Sequence, residues 1–301
     1  MSETESSPAQ GLVLPVGVWP LLTLLVAQHL APELAVPVAA DVAIAVECCV
    51  CAIDLLDDAI DGDQTPLIAS IGVPRMLNVS TALLVLAQRA ILSLSSQGVA
   101  PERILSLLDA LQDGVLTVTE GQHRDVLAEQ RPVQEFNQEI CLEIAAVKAG
   151  ALMRMVCLLG ALCAGADAQL CALCAKLGEL LGIAHQLDND CHDISAILHS
   201  TSPLSSSPVK TDIQRGKKTL PLVLAATTNI QTTYGKDQLQ EQALSTDDNK
   251  QEDERRALRE GILTTWGICL LYRERARDCL LEIEANTRPI APALHSLLGL
   301  K

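Results

Sequence analysis

The sequence predicts an all-α protein organised around one core, and three observations carry that expectation. Hydrophobic residues make up 49% of the chain and aromatic ones only 2%, so over 301 residues the core must be built from Ala, Leu, Val, Ile and Cys. Ala and Leu are strong helix formers, and the β-branched residues recur at helical spacing rather than in alternating runs. No hinge-like shift in composition separates two core-forming halves, so one domain is expected over residues 18–301, behind an N-terminal tail of 1–17.

The elements follow in order. A first helix starts near Val18, and a second is expected from Ala39 to Ile60, stopping at a turn from Gly62 to Pro66. Further helical runs are expected over about 75–97, 101–128, 133–163 and 167–198, with Gly98 as a stop and Pro101-Glu102 as a start. The stretch HSTSPLSSSP, from His199, is of low complexity and reads as a mobile loop over about 199–210. A second solvated loop, rich in Gln, Asp and Thr, is expected over 228–254, and helices resume near Asp253.

Composition also narrows the partners. A formal net charge of −15 argues against nucleic acid or an anionic membrane, both of which need a basic patch. The start, Met1-Ser2-Glu3-Thr4-Glu5, lacks the basic character of a targeting peptide. The apolar region from Leu12 to Leu56 is interrupted by Pro15, Pro20, Pro32 and Pro37 and carries Glu33, Asp41, Glu47 and Asp54, so no stable membrane insertion is expected. Eleven cysteines, an odd number set in apolar helices, fit free thiols in a cytoplasmic protein. Cys171 and Cys174 have metal-site spacing but no second ligand pair, and read as core.

The chemistry lies in two acidic clusters, Asp57-Asp58-Ala59-Ile60-Asp61 and Asn189-Asp190-Cys191-His192-Asp193, each inside an apolar, Ala/Leu-rich stretch. Carboxylates there are costly unless a cation neutralises them. On a helix, Asp57 and Asp61 share a face, as do Asn189 and Asp193. Two such faces opposed across a bundle make an all-oxygen cage suited to Mg²⁺, which takes its remaining ligands from water and substrate phosphates. Basic residues sit at the edges of apolar helices: Lys148 before Ala149-Gly150, and Lys217 in the run Asp212 to Pro221. Lys210 could reach the site from the loop end.

Taken together these motifs resemble the trans-isoprenyl diphosphate synthase, or polyprenyl synthetase, family. The resemblance covers an Asp-rich DDxxD (Asp57, Asp58, Asp61), a GQxxD (Gly121, Gln122, Asp125), the Lys148-Ala149-Gly150 segment, a Gln-x-x-DDxxD (Gln186 to Asp193) and the closing run to Pro221. It implies the isoprenoid synthase helical bundle with a central cavity, about three Mg²⁺ ions held by Asp57, Asp58, Asp61, Asn189, Asp190 and Asp193, and a prenyl diphosphate as substrate. Lys148, Gln186, Lys217, Gln122 and Asp125 would complete the diphosphate site, and Ile53, Ala52, Cys49 and Cys48 would form the floor of the prenyl pocket. Trp19 and Phe136 are the aromatic candidates for that pocket. A homodimer is expected.

The departures from the family pattern bear on the reaction. Chain-elongating members hold isopentenyl diphosphate through a basic N-terminal segment, a histidine before DDxxD and an Arg-Arg pair after it. Here those positions fall on Val16-Gly17-Val18-Trp19-Pro20, on Val50, and near Pro66 and Leu67. The pattern therefore suggests Mg²⁺-dependent ionisation of a prenyl diphosphate of about fifteen to twenty-five carbons, its cation cyclised or quenched as in a terpene synthase. The alternative is prenyl transfer, either to a non-isopentenyl acceptor such as a peptide or with elongation. A non-catalytic subunit of a prenyl synthase is the third reading.

Overall fold

The computed structural model describes residues 17–63, 65–199, 216–227 and 248–299, and every regular element among them is helical. Helix α1 (Val18–Leu30) follows Gly17 in the left-handed region, at φ 93°. Helix α2 (Val36–Asp61) starts three residues before the expected Ala39, because Pro37 lies in its first turn, where the missing N–H has no intrahelical partner to lose. It ends at Gly62, whose N–H is accepted by the Asp58 and Ala59 carbonyls. The stretch after it is more than a turn: Thr65 caps a short helix, α3 (Pro66–Ile71), by accepting from the Ile68 N–H.

Helix α4 (Val73–Ser93) tightens into a 3₁₀ turn (Leu94–Gln97) and stops at Gly98, and α5 (Pro101–Glu129) begins on its proline. The expected run over 133–163 is interrupted. A 3₁₀ turn (Val133–Glu135) precedes Asn137, whose side chain accepts from Ile140 N–H at 2.9 Å and opens α6 (Gln138–Ala145). A five-residue π turn (Ala146–Gly150) then passes directly into α7 (Ala151–Ala164). Helices α8 (Ala168–His199), α9 (Leu220–Thr227), α10 (Asp248–Asn286) and α11 (Pro292–Leu298) complete the chain. The start of α10 at Asp248 lies inside the segment that composition assigns to a loop. The rest of both expected loops, with Lys210, lies outside the described residues.

Helices α2, α7 and α8 form the centre, with α4 on α2, α5 and α1 on α7, and α10 on α8 and α9. Their contact is made by side chains such as Val46, Leu107, Val156, Leu159 and Leu177, all essentially inaccessible to solvent. Glycine brings the helices close. A Cβ at Gly178 would stand 2.3 Å from the Met153 carbonyl oxygen, so α7 and α8 meet backbone to backbone. Gly160 does the same for α1, where the Thr23 hydroxyl donates to the Val156 carbonyl at 3.2 Å.

Four helical runs, Val36–Asp61, Val73–Gln97, Gln138–Ala164 and Ala168–Ala196, are long and apolar enough to cross a membrane by length and composition. The prolines do not interrupt the first of these runs, because Pro37 lies at the start of α2 and leaves the rest of the helix continuous.

Because the atoms that a larger residue would meet at Gly178 are backbone, Gly178→Ala is expected to destabilise the fold by about 1–3 kcal/mol. Equilibrium unfolding in urea measures it.

Candidate active site

The last turns of α2 carry Asp57, Asp58 and Asp61, at the helix end where the macrodipole is negative and no basic residue compensates it. The compensation comes from elsewhere in the chain. Lys148 Nζ lies 3.2 Å from Asp57 Oδ1 and 3.1 Å from Asp125 Oδ2, bridging α2 and α5. Lys217 Nζ lies 3.0 Å from Oδ2 of the buried Asp61. Burial pulls the Lys148 pKa down, but the Asp125 and Asp57 carboxylates outweigh it and hold its ammonium above the ordinary lysine value. On α8, Gln186 Nε2 donates to Asp190 Oδ1 at 2.8 Å, and Asn189 Nδ2 lies 3.4 Å from His185 Nε2.

The position of Lys148 has a steric cause. It sits in the π turn, and glycines on two other helices admit that turn. A Cβ at Gly121 on α5 would stand 2.6 Å from the Val147 carbonyl oxygen, and one at Gly182 on α8 would stand 2.2 Å from that of Ala149. The widened turn is therefore gripped from both sides, a common setting for a π turn at a functional site.

A cavity of about 480 Å³ opens among α1, α2, α5, α7 and α8. Trp19, Ile53, Ile60, Val118 and Leu152 supply apolar wall, while Asp57, Lys148, Gln186 and Asn189 supply a charged and polar end. A smaller adjoining cavity is lined by Asp125, Cys141, Asp190 and Lys217, and it shares Lys148 and Gln186 with the first. The two acidic motifs thus face a common seam. Burial first, then the Asp190 and Asp125 carboxylates, push the Cys141 thiol up to about 12, so it stays neutral in that wall.

Of the residues expected in the prenyl pocket, Trp19 and Ile53 line the large cavity. Ala52, Cys49 and Cys48 do not. Helix α2 turns Ile53, Leu56, Asp57 and Ile60 toward the cavity as one stripe, which places Ala52 and Cys49 in the packed core and Cys48 against it. Phe136 packs in a separate cluster with Val133 and Cys141, with the Arg131 guanidinium 5.1 Å from its ring. Gln122 lines the large cavity rather than the Lys217 pocket, whereas Asp125 lines the latter. Asp58, Asp61 and Asp193 are part-buried or buried beside the cavities without lining them.

Sequence reasoning passes over His123 and sets aside His185, because histidine is scarce at Mg²⁺ sites; both line the large cavity, His185 meeting the Trp19 ring edge-on at 6.3 Å. Their signal was available, since each stands beside a glutamine of a recognised motif. Asp188 is buried and tied to Arg273 of α10 at 3.5 Å, off the motif's own positions. Val50, where the family's histidine falls, is buried in the core, and no Lys or Arg occurs between Asp61 and Arg75.

The donor set suits Mg²⁺: Asp57, Asp58, Asp61, Asn189, Asp190 and Asp193 offer only hard oxygen and amide ligands, the carboxylates otherwise needing cations. Among the described residues no three His, Cys, Asp or Glu groups converge on one point, and Lys148 and Lys217 stand against the carboxylates as internal counter-ions.

Residues 17–260 match the family model for polyprenyl synthetase, and the chain belongs to that family. It is 35% identical over 176 residues to a geranylgeranyl diphosphate synthase of Mycobacterium tuberculosis, covering 57% of this chain and 47% of that protein. It is 27% identical over 128 residues to a geranylfarnesyl diphosphate synthase of Aeropyrum pernix, covering 42% and 38%. The chain thus matches less than half the length of either relative. Its fold is that of a geranylgeranyl pyrophosphate synthase from Lactobacillus brevis, with a TM-score of 0.76 at 20% identity over 94% of this chain and 84% of that one.

Two predictions follow from the geometry. Gly182→Ala should displace the π turn and lower affinity for inorganic pyrophosphate, while Ala149→Gly, which adds no atom there, should not; calorimetry reads both. Since the lysines stand on the carboxylates, Mg²⁺ and pyrophosphate should each bind weakly alone and tightly together. Lys217→Met should tighten Mg²⁺ binding in the absence of pyrophosphate and weaken pyrophosphate binding about tenfold, the scale of a charged hydrogen bond.

Proposed function

We propose that this chain is a prenyltransferase that ionises an allylic prenyl diphosphate of about fifteen to twenty-five carbons and passes the prenyl group to an acceptor. The observation that carries this reading is the apolar cavity that ends on Lys148 and Gln186, the two residues it shares with the Lys217 pocket. Its volume of about 480 Å³ is in the range of small-molecule sites. The names of the relatives, geranylgeranyl and geranylfarnesyl diphosphate synthase, support prenyl transfer and a chain of that size.

In this reading Lys148, Lys217 and Gln186 hold the diphosphate where negative charge grows as the C–O bond breaks. Mg²⁺, when bound by the acidic motifs, supplies the electrophilic pull on the leaving group. Ile53, Val118 and Leu152 keep bulk water from the allyl cation, and Trp19 is the aromatic side chain on that wall able to stabilise it. The retained carboxylates and lysines speak against a non-catalytic subunit.

A second reading concerns the cation's fate. The buried Val50 and the cation-free stretch from Gly62 to Pro74 offer no charge to a second diphosphate at two of the positions where the family holds it, which favours cyclisation, quenching or a non-isopentenyl acceptor over elongation. Incubation with a panel of prenyl diphosphates, with and without isopentenyl diphosphate, separates the readings. Pyrophosphate release supports prenyl ionisation, a longer diphosphate identifies elongation, and a product unaffected by isopentenyl diphosphate identifies the second reading. No release with any substrate would reject both.

We also propose a cytoplasmic homodimer. Free cysteines fit a reducing compartment. Leu77, Val85 and Leu92 on α4 and Leu105, Leu116 and Leu127 on α5 are exposed, which leaves large apolar side chains on two successive helices for a second protomer to cover. Light scattering should give twice the protomer mass, and Leu116→Glu, at a side chain 69% exposed, should shift it toward one.

A further inference from the structure

Gln122 is out of place in its surroundings. It lies on the cavity-facing stripe of α5 with Val118 and Val126 one turn to either side, and only 9% of it is exposed. Neither its amide nitrogen nor its amide oxygen has a hydrogen-bond partner. An amide left so costs free energy comparable to a lost hydrogen bond, and in native structures such a group generally marks a bound water or ligand group. Its neighbours on the same wall extend the polar patch. Thr119 donates its hydroxyl hydrogen to Val115 O at 2.8 Å, which leaves the oxygen able to accept, and Lys148, which lines both this cavity and the smaller one, is held at 3.1 Å by Asp125, one turn after Gln122 on α5 but in the smaller cavity. Gln122 therefore stands between the charged seam and the apolar wall, near where the reacting end of a prenyl diphosphate would lie.

We infer that Gln122 is the anchor for a neutral hydroxyl inside this cavity, and that water held there is the prenyl acceptor. A primary amide has N–H donors and a carbonyl acceptor, so a water molecule or an alcohol can satisfy both sides of it, whereas an ionised diphosphate could only accept and would leave the buried carbonyl oxygen unpaired. In the step that follows, the allylic C–O bond breaks with its electron pair leaving on pyrophosphate. The water oxygen then bonds to the allylic carbon, and its proton passes to pyrophosphate. The product is a prenyl alcohol, and nothing is oxidised or reduced. This rests on the reading that the cavity receives a prenyl diphosphate, and it names the acceptor that the second reading left open.

The test has an arm that needs neither metal nor turnover. The metal-free protein is titrated with a prenyl alcohol and with the hydrocarbon of the same carbon skeleton. The alcohol should bind about tenfold more tightly, and both Gln122→Leu and Gln122→Met should erase that preference. Equal affinity for alcohol and hydrocarbon in the unsubstituted chain, or a preference that survives both substitutions, overturns the assignment. The second arm is turnover of prenyl diphosphate in heavy-oxygen water, which should place the label in a prenyl alcohol. Pyrophosphate release with only hydrocarbon or elongated product refutes the water acceptor while leaving prenyl ionisation standing. If no pyrophosphate is released, prenyl ionisation itself fails, and the alcohol titration still decides the role of Gln122.

Discussion

Everything around this site depends on neutralising carboxylates that an apolar bundle cannot otherwise hold. Asp61 is buried at the negative end of α2, and Asp57 shares its face. Lys217 at 3.0 Å from Asp61 and Lys148 at 3.2 Å from Asp57 offset the desolvation cost of those carboxylates. Those two lysines come from segments far apart in the chain, so the charge balance also ties the end of α2 to α5, to the π turn and to the entry of α9. The same lysines are suited to receive a diphosphate, since an ammonium held on a carboxylate can exchange one anionic partner for another.

The backbone serves this balance. A regular helix from α6 into α7 would carry Lys148 at a different angle; the π turn widens the helix by one residue per turn, and Gly121 and Gly182 leave room for its carbonyls. The Gly-Gln pair on α5 therefore has two separate physical roles. The glycine is needed for what it lacks, and the glutamine stands on the cavity wall.

Much of this was legible in the sequence, and what was not has identifiable causes. Prolines and glycines mark helix boundaries locally, so the ends at Gly62, Gly98 and Pro101 could be read. The acidic pairs could be read because four-residue spacing is a property of one helix. The π turn could not, because Ala146-Val147-Lys148-Ala149-Gly150 carries no local signal and the glycines that admit it lie on other helices. The pocket floor could not, because the stripe of α2 that meets the cavity depends on how α4, α1 and α7 pack around it. Ala52 and Cys49 differ from Ile53 only by rotation about the helix axis.

The thiols carry a consequence of another kind. Burial, together with neighbouring groups for most of them, raises the pKa of all eleven, to about 12 for Cys49 and Cys174. Alkylating reagents attack the thiolate, so in the closed bundle most of these sulfurs are chemically silent. They are distributed over α2, α6, α7, α8 and α10. Each buried thiol thus reports on the loosening of its own helix, and the order in which they become modified is a map of which parts of the bundle breathe first.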